Sequence, residues 1–186
     1  MKRIFVLLTA CAFMACNNEK ADETNAGASG ESRAQVPSNT SGFTPAYSVS
    51  FVMDSAKNTE TILSLWKAWK DGDLSVGRQH FADSVAMFFP DGSSMAGPAD
   101  SVMKNTQAYR SSFKSVEVTV DAAFAVKSTD RNESWVAIWG SEIITQMNGT
   151  KDTISQQETW RFNKEGKIDF MIQAQRKGMT PPPPGK

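Results

Sequence analysis

Few side chains in this sequence are placed to do chemistry, and the scarcity narrows the options. Both cysteines, Cys11 and Cys16, lie near the start of the chain. Everything beyond them lacks thiols, so neither a disulfide nor a thiolate metal site belongs to the folded part. His80 is the single histidine, and zinc or iron centres of the usual ligand types need more than one imidazole or thiolate. Neither a metal nor a cofactor is expected. The strongest proton-transfer candidate is Glu158, two residues before Trp160 in "QETWRF". A carboxylate against an indole in a dry pocket has its pKa raised by desolvation and can serve as a base. Its bland alternative is an exposed strand glutamate. His80 is a weaker candidate, and Asp121, Glu142 and Asp169 read as solvent-facing strand residues.

The N-terminus carries an address. Lys2 and Arg3 precede the apolar run "IFVLLTACAFMA", and a small residue precedes Cys16. The run is too short to span a bilayer and reads as an export signal. Its "FMAC" end, followed by "NNEK", resembles a bacterial lipoprotein signal, whose cysteine is acylated and becomes the new N-terminus. Cys16 is the expected lipidation site. Cys11 is the alternative, although cleavage there would leave a shorter apolar region and an apolar stub. The expected location is a bacterial cell envelope, with the protein lipid-anchored and facing the periplasm or the surface. The whole chain has 20 basic and 20 acidic residues; without Lys2 and Arg3 the balance is 18 against 20, about −2. That is no electrostatic footprint for nucleic acid.

Residues 17–50 are rich in Gly, Ser, Asn, Ala and Glu and poor in large apolar side chains. Such a segment buries too little to offset its ordering entropy and is expected to be a disordered linker. Residues 177–186, containing "PPPP", are expected to form a disordered, extended tail. A single domain over 51–176 lies between them.

The elements that must position any site are legible within that domain. Asn58 is placed to cap a helix with apolar positions Ile62, Leu65, Trp66 and Trp69. Gly72 stops it, and Asp73 starts a second short helix through Phe81. "SVAMFFP" is a strand ended by Pro90 and an Asp91-Gly92 turn. Pro98 opens a helix with an apolar stripe of Val102, Thr106, Tyr109 and Phe113. Strands then dominate: Val116, Val118 and Val120 alternate with polar residues, and Asn148-Gly149 joins "WVAIWGSEIITQM" to "TKDTISQQETWRF" as a hairpin. "NKEGK" turns into the last strand, "IDFMIQAQ". Helices followed by antiparallel strands make an α+β pattern.

The order of these elements, with "WKDGD", "HFADSVAMFFPDG", "MAGPADSVMKNTQAY" and "WRFNKEGKI", resembles the nuclear transport factor 2-like superfamily, in particular its polyketide cyclase (SnoaL-like) branch, over residues 58–176. The resemblance implies a cone: a curled antiparallel sheet wrapped around N-terminal helices, a cystatin-like α+β roll with an internal pocket. Fold does not fix function, since this scaffold hosts isomerases, cyclases, hydrolases and modules without chemistry. Where the steroid isomerases of the superfamily carry a tyrosine on the first helix and a base before the strand-ending proline, this chain has Leu65 and Phe89. Where cyclases and epoxide hydrolases often carry an aspartate on the last strand, it has Gln173, which cannot act as a base.

The resemblance places Met171, Gln173 and Gln175 inward on the last strand and Ser155, Gln157 and Thr159 inward on the strand before, beneath a ceiling of Trp66, Trp69, Phe89 and Tyr109. The expected function is therefore binding of a small, largely apolar molecule through Trp66, Trp69, Phe89, Tyr109, Ser155, Gln157, Met171 and Gln173. The alternatives are a cyclase- or isomerase-like enzyme using Glu158 and a protein-interaction module. Simple alternation conflicts with this assignment. It groups Ile154, Trp160 and Phe162 on one face, with Gln156 and Glu158, and Ile168, Phe170 and Ile172 on one face of the next strand. Two apolar faces imply that the convex side is also covered, and a homodimer through the sheet is expected.

Overall fold

The structure is a computed structural model that describes residues 33–34 and 42–178. The expected signal segment, Cys16 and the proline-rich end of the tail lie outside the described residues. Eight strands form one curled, unclosed sheet in the order β1-β2-β5-β6-β7-β8-β3-β4. They are β1 (Arg33–Ala34), β2 (Phe51–Met53), β3 (Phe81–Phe88), β4 (Ser94–Pro98), β5 (Phe113–Ser128), β6 (Glu133–Gln146), β7 (Lys151–Phe162) and β8 (Ile168–Lys177). All neighbours are antiparallel except β3 and β8, which run parallel. Helix α1 (Ala56–Asp71) lies against β5 and β6, and α2 (Ala99–Arg110) against β3 and β4.

Helix α1 starts where the Ser55 side chain accepts from the Lys57 N–H at 3.2 Å. Asn58 is therefore not the cap: it sits inside the first turn and donates from its side chain to Asp54 at 2.8 Å. Gly72 ends the helix at φ +87°, donating its N–H to the Ala68 carbonyl, a conformation that favours glycine. The expected second helix is a short 3-10 segment, Ser75–His80, and Phe81 already belongs to β3. Tertiary pairing of Phe81 with Ile168 on β8 outweighs the helical reading there.

The sheet curls at irregularities in pairing, which bend a strand and add twist. In β5, Val120 pairs with Gly140 but Ala122 with Trp139, so Asp121 is skipped. In β8, Ile168 pairs with Phe162 but Phe170 with Arg161, so Asp169 is skipped. Each skip reverses which residues face inward. Ile168, fully buried, thus shares the inner face with Met171, while Phe170 and Ile172 point outward. The expected grouping of Ile168 with Phe170 and Ile172 is corrected by that one bulged residue.

Ile62 and Trp66 of α1, Ala99 and Val102 of α2, and Val136, Ile138, Phe162 and Ile168 of the sheet close the core. Helix and sheet approach closely at Gly140, where a Cβ would stand 2.1 Å from the Thr119 carbonyl oxygen and 3.1 Å from the Trp66 ring. Residues just ahead of Phe51 also bond to the sheet. Ser48 donates to Asp130 at 2.5 Å, Tyr47 contacts Glu133, and the Trp135 indole donates to the Tyr47 hydroxyl at 2.8 Å. Polar pairing with the β5–β6 turn, rather than apolar burial, holds this stretch in place.

Candidate functional site

The concave side of the sheet and the two helices enclose a cavity of about 620 Å3. Its apolar wall follows from the periodicity of each element. Leu65, Trp66 and Trp69 recur on one face of α1, and Met87 and Phe89 alternate along β3 and past its end. Met103, Thr106 and Tyr109 recur along α2. Tyr109 stands at the rim, 61% exposed, and stacks on Trp69 with ring centroids 6.2 Å apart.

The polar part comes from three neighbouring strands in register. On β7 the buried residues are Ile154, Gln156, Glu158, Trp160 and Phe162. Glu158 lies opposite Gln173 of β8, and Gln156 opposite Gln175. Glu158 is gripped by three N–H donors: the Trp66 indole at 2.6 Å, the Trp160 indole at 2.9 Å and the Gln173 amide at 2.9 Å. Gln173 also donates to the Gln156 side-chain oxygen at 3.0 Å, and Gln156 donates to Glu142 at 2.9 Å. A continuous relay thus runs from Glu142 through two amides to Glu158 and its indoles.

Both carboxyl groups are buried, at 3% exposure for Glu142 and 6% for Glu158. Desolvation pushes the Glu142 pKa up to about 7; the Glu158 charge adds to the rise, while Gln156, the Trp69 indole and Arg110 oppose it. The buried Trp69 indole N–H nevertheless makes no hydrogen bond of full geometry, so its influence on Glu142 is that of a nearby dipole. Burial also raises the Glu158 pKa, against the pull of Trp66, Trp160 and Gln173. Arg110 does not line the cavity; its guanidinium donates to the Trp69 and Lys70 carbonyls at 2.5 and 2.9 Å and covers the end of α1.

Of the expected site residues, Trp66, Trp69, Phe89, Tyr109, Met171 and Gln173 line the cavity, together with Glu158. Ser155 and Gln157 do not: they occupy the other face of β7, one residue out of phase, because a single-residue offset flips every side chain of a strand. Thr159 shares that displacement. His80 is also outside the lining, and burial and nearby Lys167 lower its pKa. Glu142 was expected to face solvent and instead lines the cavity. The signal for it was present, since Val136, Ile138, Gly140, Glu142 and Ile144 share one phase of β6 and all are buried. Asp121 is exposed as expected, whereas Asp169 is half-buried and paired with Arg161 at 2.8 Å.

No protein-family model matches the chain, and no curated protein matches it in sequence. Solved structures resemble it in fold. The epoxide hydrolase/cyclase-like enzyme SalBIII, with a role in pyran ring formation in polyether salinomycin, is 19% identical, over 68% of this chain and 94% of that one, with a TM-score of 0.54. A SnoaL-like polyketide cyclase candidate from Shewanella denitrificans is 9% identical, over 66% of this chain and 92% of that one, with a TM-score of 0.54. A nuclear transport factor 2-like protein of unknown function from Burkholderia pseudomallei is 18% identical, over 64% of this chain and 90% of that one, with a TM-score of 0.52. The chain therefore has the nuclear transport factor 2-like fold, a mixed α+β architecture with a curled, unclosed sheet.

Proposed function

We propose that this protein holds a small, largely apolar molecule in its cavity, as a lipid-anchored domain tethered to a bacterial cell envelope through Cys16. The observation that carries the binding reading is the cavity of about 620 Å3, walled by indoles, phenyl rings and methionines with a short polar seam on one side. Its size falls in the usual range for small-molecule sites, roughly 300–1,000 Å3. An apolar guest displaces water from these walls, and the Gln156–Gln173 amides orient a hydroxyl or carbonyl by donating or accepting a hydrogen bond. The anchor rests on the sequence of residues 1–16.

A second reading is favoured by one observation, the buried pair Glu142 and Glu158 bridged by two glutamine amides. A carboxyl group with a pKa of about 7 is matched to proton transfer at neutral pH. In that reading a bound molecule with an acidic C–H or a reactive hydroxyl gives its proton to Glu142, which returns it at another atom of the same molecule, and Glu158 remains fixed by its indole donors. The reaction class is isomerisation or cyclisation without external reagents.

The binding reading is tested with the intrinsic fluorescence of the full chain, since Trp66, Trp69 and Trp160 all line the cavity. Titration with small aromatic or terpenoid probes should change the emission saturably. Met95→Trp, which fills the cavity from β4, should lose that response while keeping the same thermal transition. An unchanged response in the filled variant would place the probe elsewhere and reject the reading.

A further inference from the structure

We infer that the molecule this cavity accepts is a lipophilic organic cation, an ammonium group on an apolar body, recognised by Glu142 and by the aromatic wall. The inference deepens the binding reading and rests on it. Three acidic residues, Asp91, Glu142 and Glu158, line the cavity, and among the described residues no lysine, arginine or histidine does. Six aromatic rings, of Trp66, Trp69, Phe81, Phe89, Tyr109 and Trp160, surround the same space. Aromatic rings beside a desolvated carboxylate are the residue types that hold alkylated ammonium groups.

The two buried glutamates differ in what they leave for a guest. Glu158 is occupied by two indole N–H groups and an amide. Glu142 receives one hydrogen bond, from Gln156. Arg110, whose charge acts on Glu142 without a hydrogen bond to it, donates through Nε and one terminal nitrogen to the carbonyls at the end of α1 and stacks over Trp69 at 5.8 Å. An ionised carboxylate in an apolar cavity is costly without a partner, and a cationic guest supplies the missing charge. An anionic guest would meet Glu142, Glu158 and the rim carboxylate of Asp91. Four methionines in the wall, Met87, Met95, Met103 and Met171, adapt to an irregular alkyl body.

Cation binding also has a proton signature. The groups facing Glu142 are Glu158, Gln156, Trp69, Tyr109 and Arg110. With its pKa pushed up to about 7, Glu142 holds a proton over part of the neutral range, and a cation beside it drives that proton off.

The test is calorimetry of the full chain with three probes of similar size: benzyltrimethylammonium, its uncharged carbon isostere neopentylbenzene, and 3-phenylpropanoate. The cation should bind about tenfold or more tighter than the isostere, and the anion weakest. Cation binding near pH 7, compared in buffers of different ionisation enthalpy, should release protons, whereas the isostere, which only desolvates Glu142 further, should release none. In Glu142→Gln the cation's advantage should fall to near parity. The proton release needs no variant, so the inference stays testable if Glu142→Gln folds poorly. Equal binding of cation and isostere, or preference for the anion, would overturn the charge assignment and leave the cavity as a binding site. Failure of all three probes, with no fluorescence response to the wider probe set, would overturn the binding reading itself.

Discussion

Glu142 is where burial and charge oppose each other most directly, and stability should report it. Its folded pKa, about 7, lies above the ordinary glutamate value of 4.5. Folding thus favours the protonated form: the stabilising difference is full below pH 4.5 and is lost as the pH rises through about 7. The penalty above that window is on the order of 3 kcal/mol. Glu142→Gln, which keeps the shape and needs no ionisation, should flatten much of the fall between pH 4.5 and 7. It should also be more stable than the parent at pH 8 by up to about 3 kcal/mol. Denaturant titrations across that pH range check this; a variant less stable at pH 8 would show that the carboxylate is already compensated. Glu158 was legible in the sequence because an indole two residues on shares its face. Glu142 was not, because carboxylates are seldom buried and only its phase with Ile138 and Ile144 argued otherwise.

At the scale of elements, the site depends on a helix pressed against a bent strand pair. Gly140 lets the Trp66 ring and the Thr119 carbonyl meet β6 at close range. Gly140→Ala should cost about 3 kcal/mol, since a methyl group there has backbone on one side and an indole on the other. A thermal unfolding series should show it well below Gly149→Ala, where no atom lies within 4 Å of the added carbon and only the φ of +87° is strained. Equal losses would mean that the helix and sheet yield to the methyl. The same scale explains the limits of the sequence reading. The helices, the Asn148-Gly149 hairpin and the final strands follow from periodicity and turn chemistry. The bulges at Asp121 and Asp169 leave no mark on composition, yet each reverses the alternation. Strand β4, "SMAGP", was missed because it has no β-branched residue and carries a glycine and a proline; its place beside β3 is set by the Asp91-Gly92 turn, where Ser93 donates to Asp91.

For the whole molecule, the outer side of the sheet bears on the proposal that a second copy covers it. The outer face of β7 is more polar than expected, because Ile154, Trp160 and Phe162 turn inward. Apolar side chains remain outside on its neighbours. Phe124 and Trp139 meet edge to face at 5.7 Å, and Ile172 is 48% exposed. Such a patch usually marks an association surface. The chain should sediment as a dimer, and Trp139→Glu should sediment as a monomer with unchanged secondary structure; a monomeric parent would refute the pairing.

The claim on which the account turns is that the cavity is occupied by a small molecule in the protein's own setting. Native mass spectrometry of the protein purified from the cells that make it tests it most directly. A mass above that of the polypeptide and any covalent lipid by one retained small molecule, lost on gentle activation and absent from Met95→Trp, is the expected result. A protein carrying no non-covalent adduct, or an adduct that the filled variant retains equally, would contradict it.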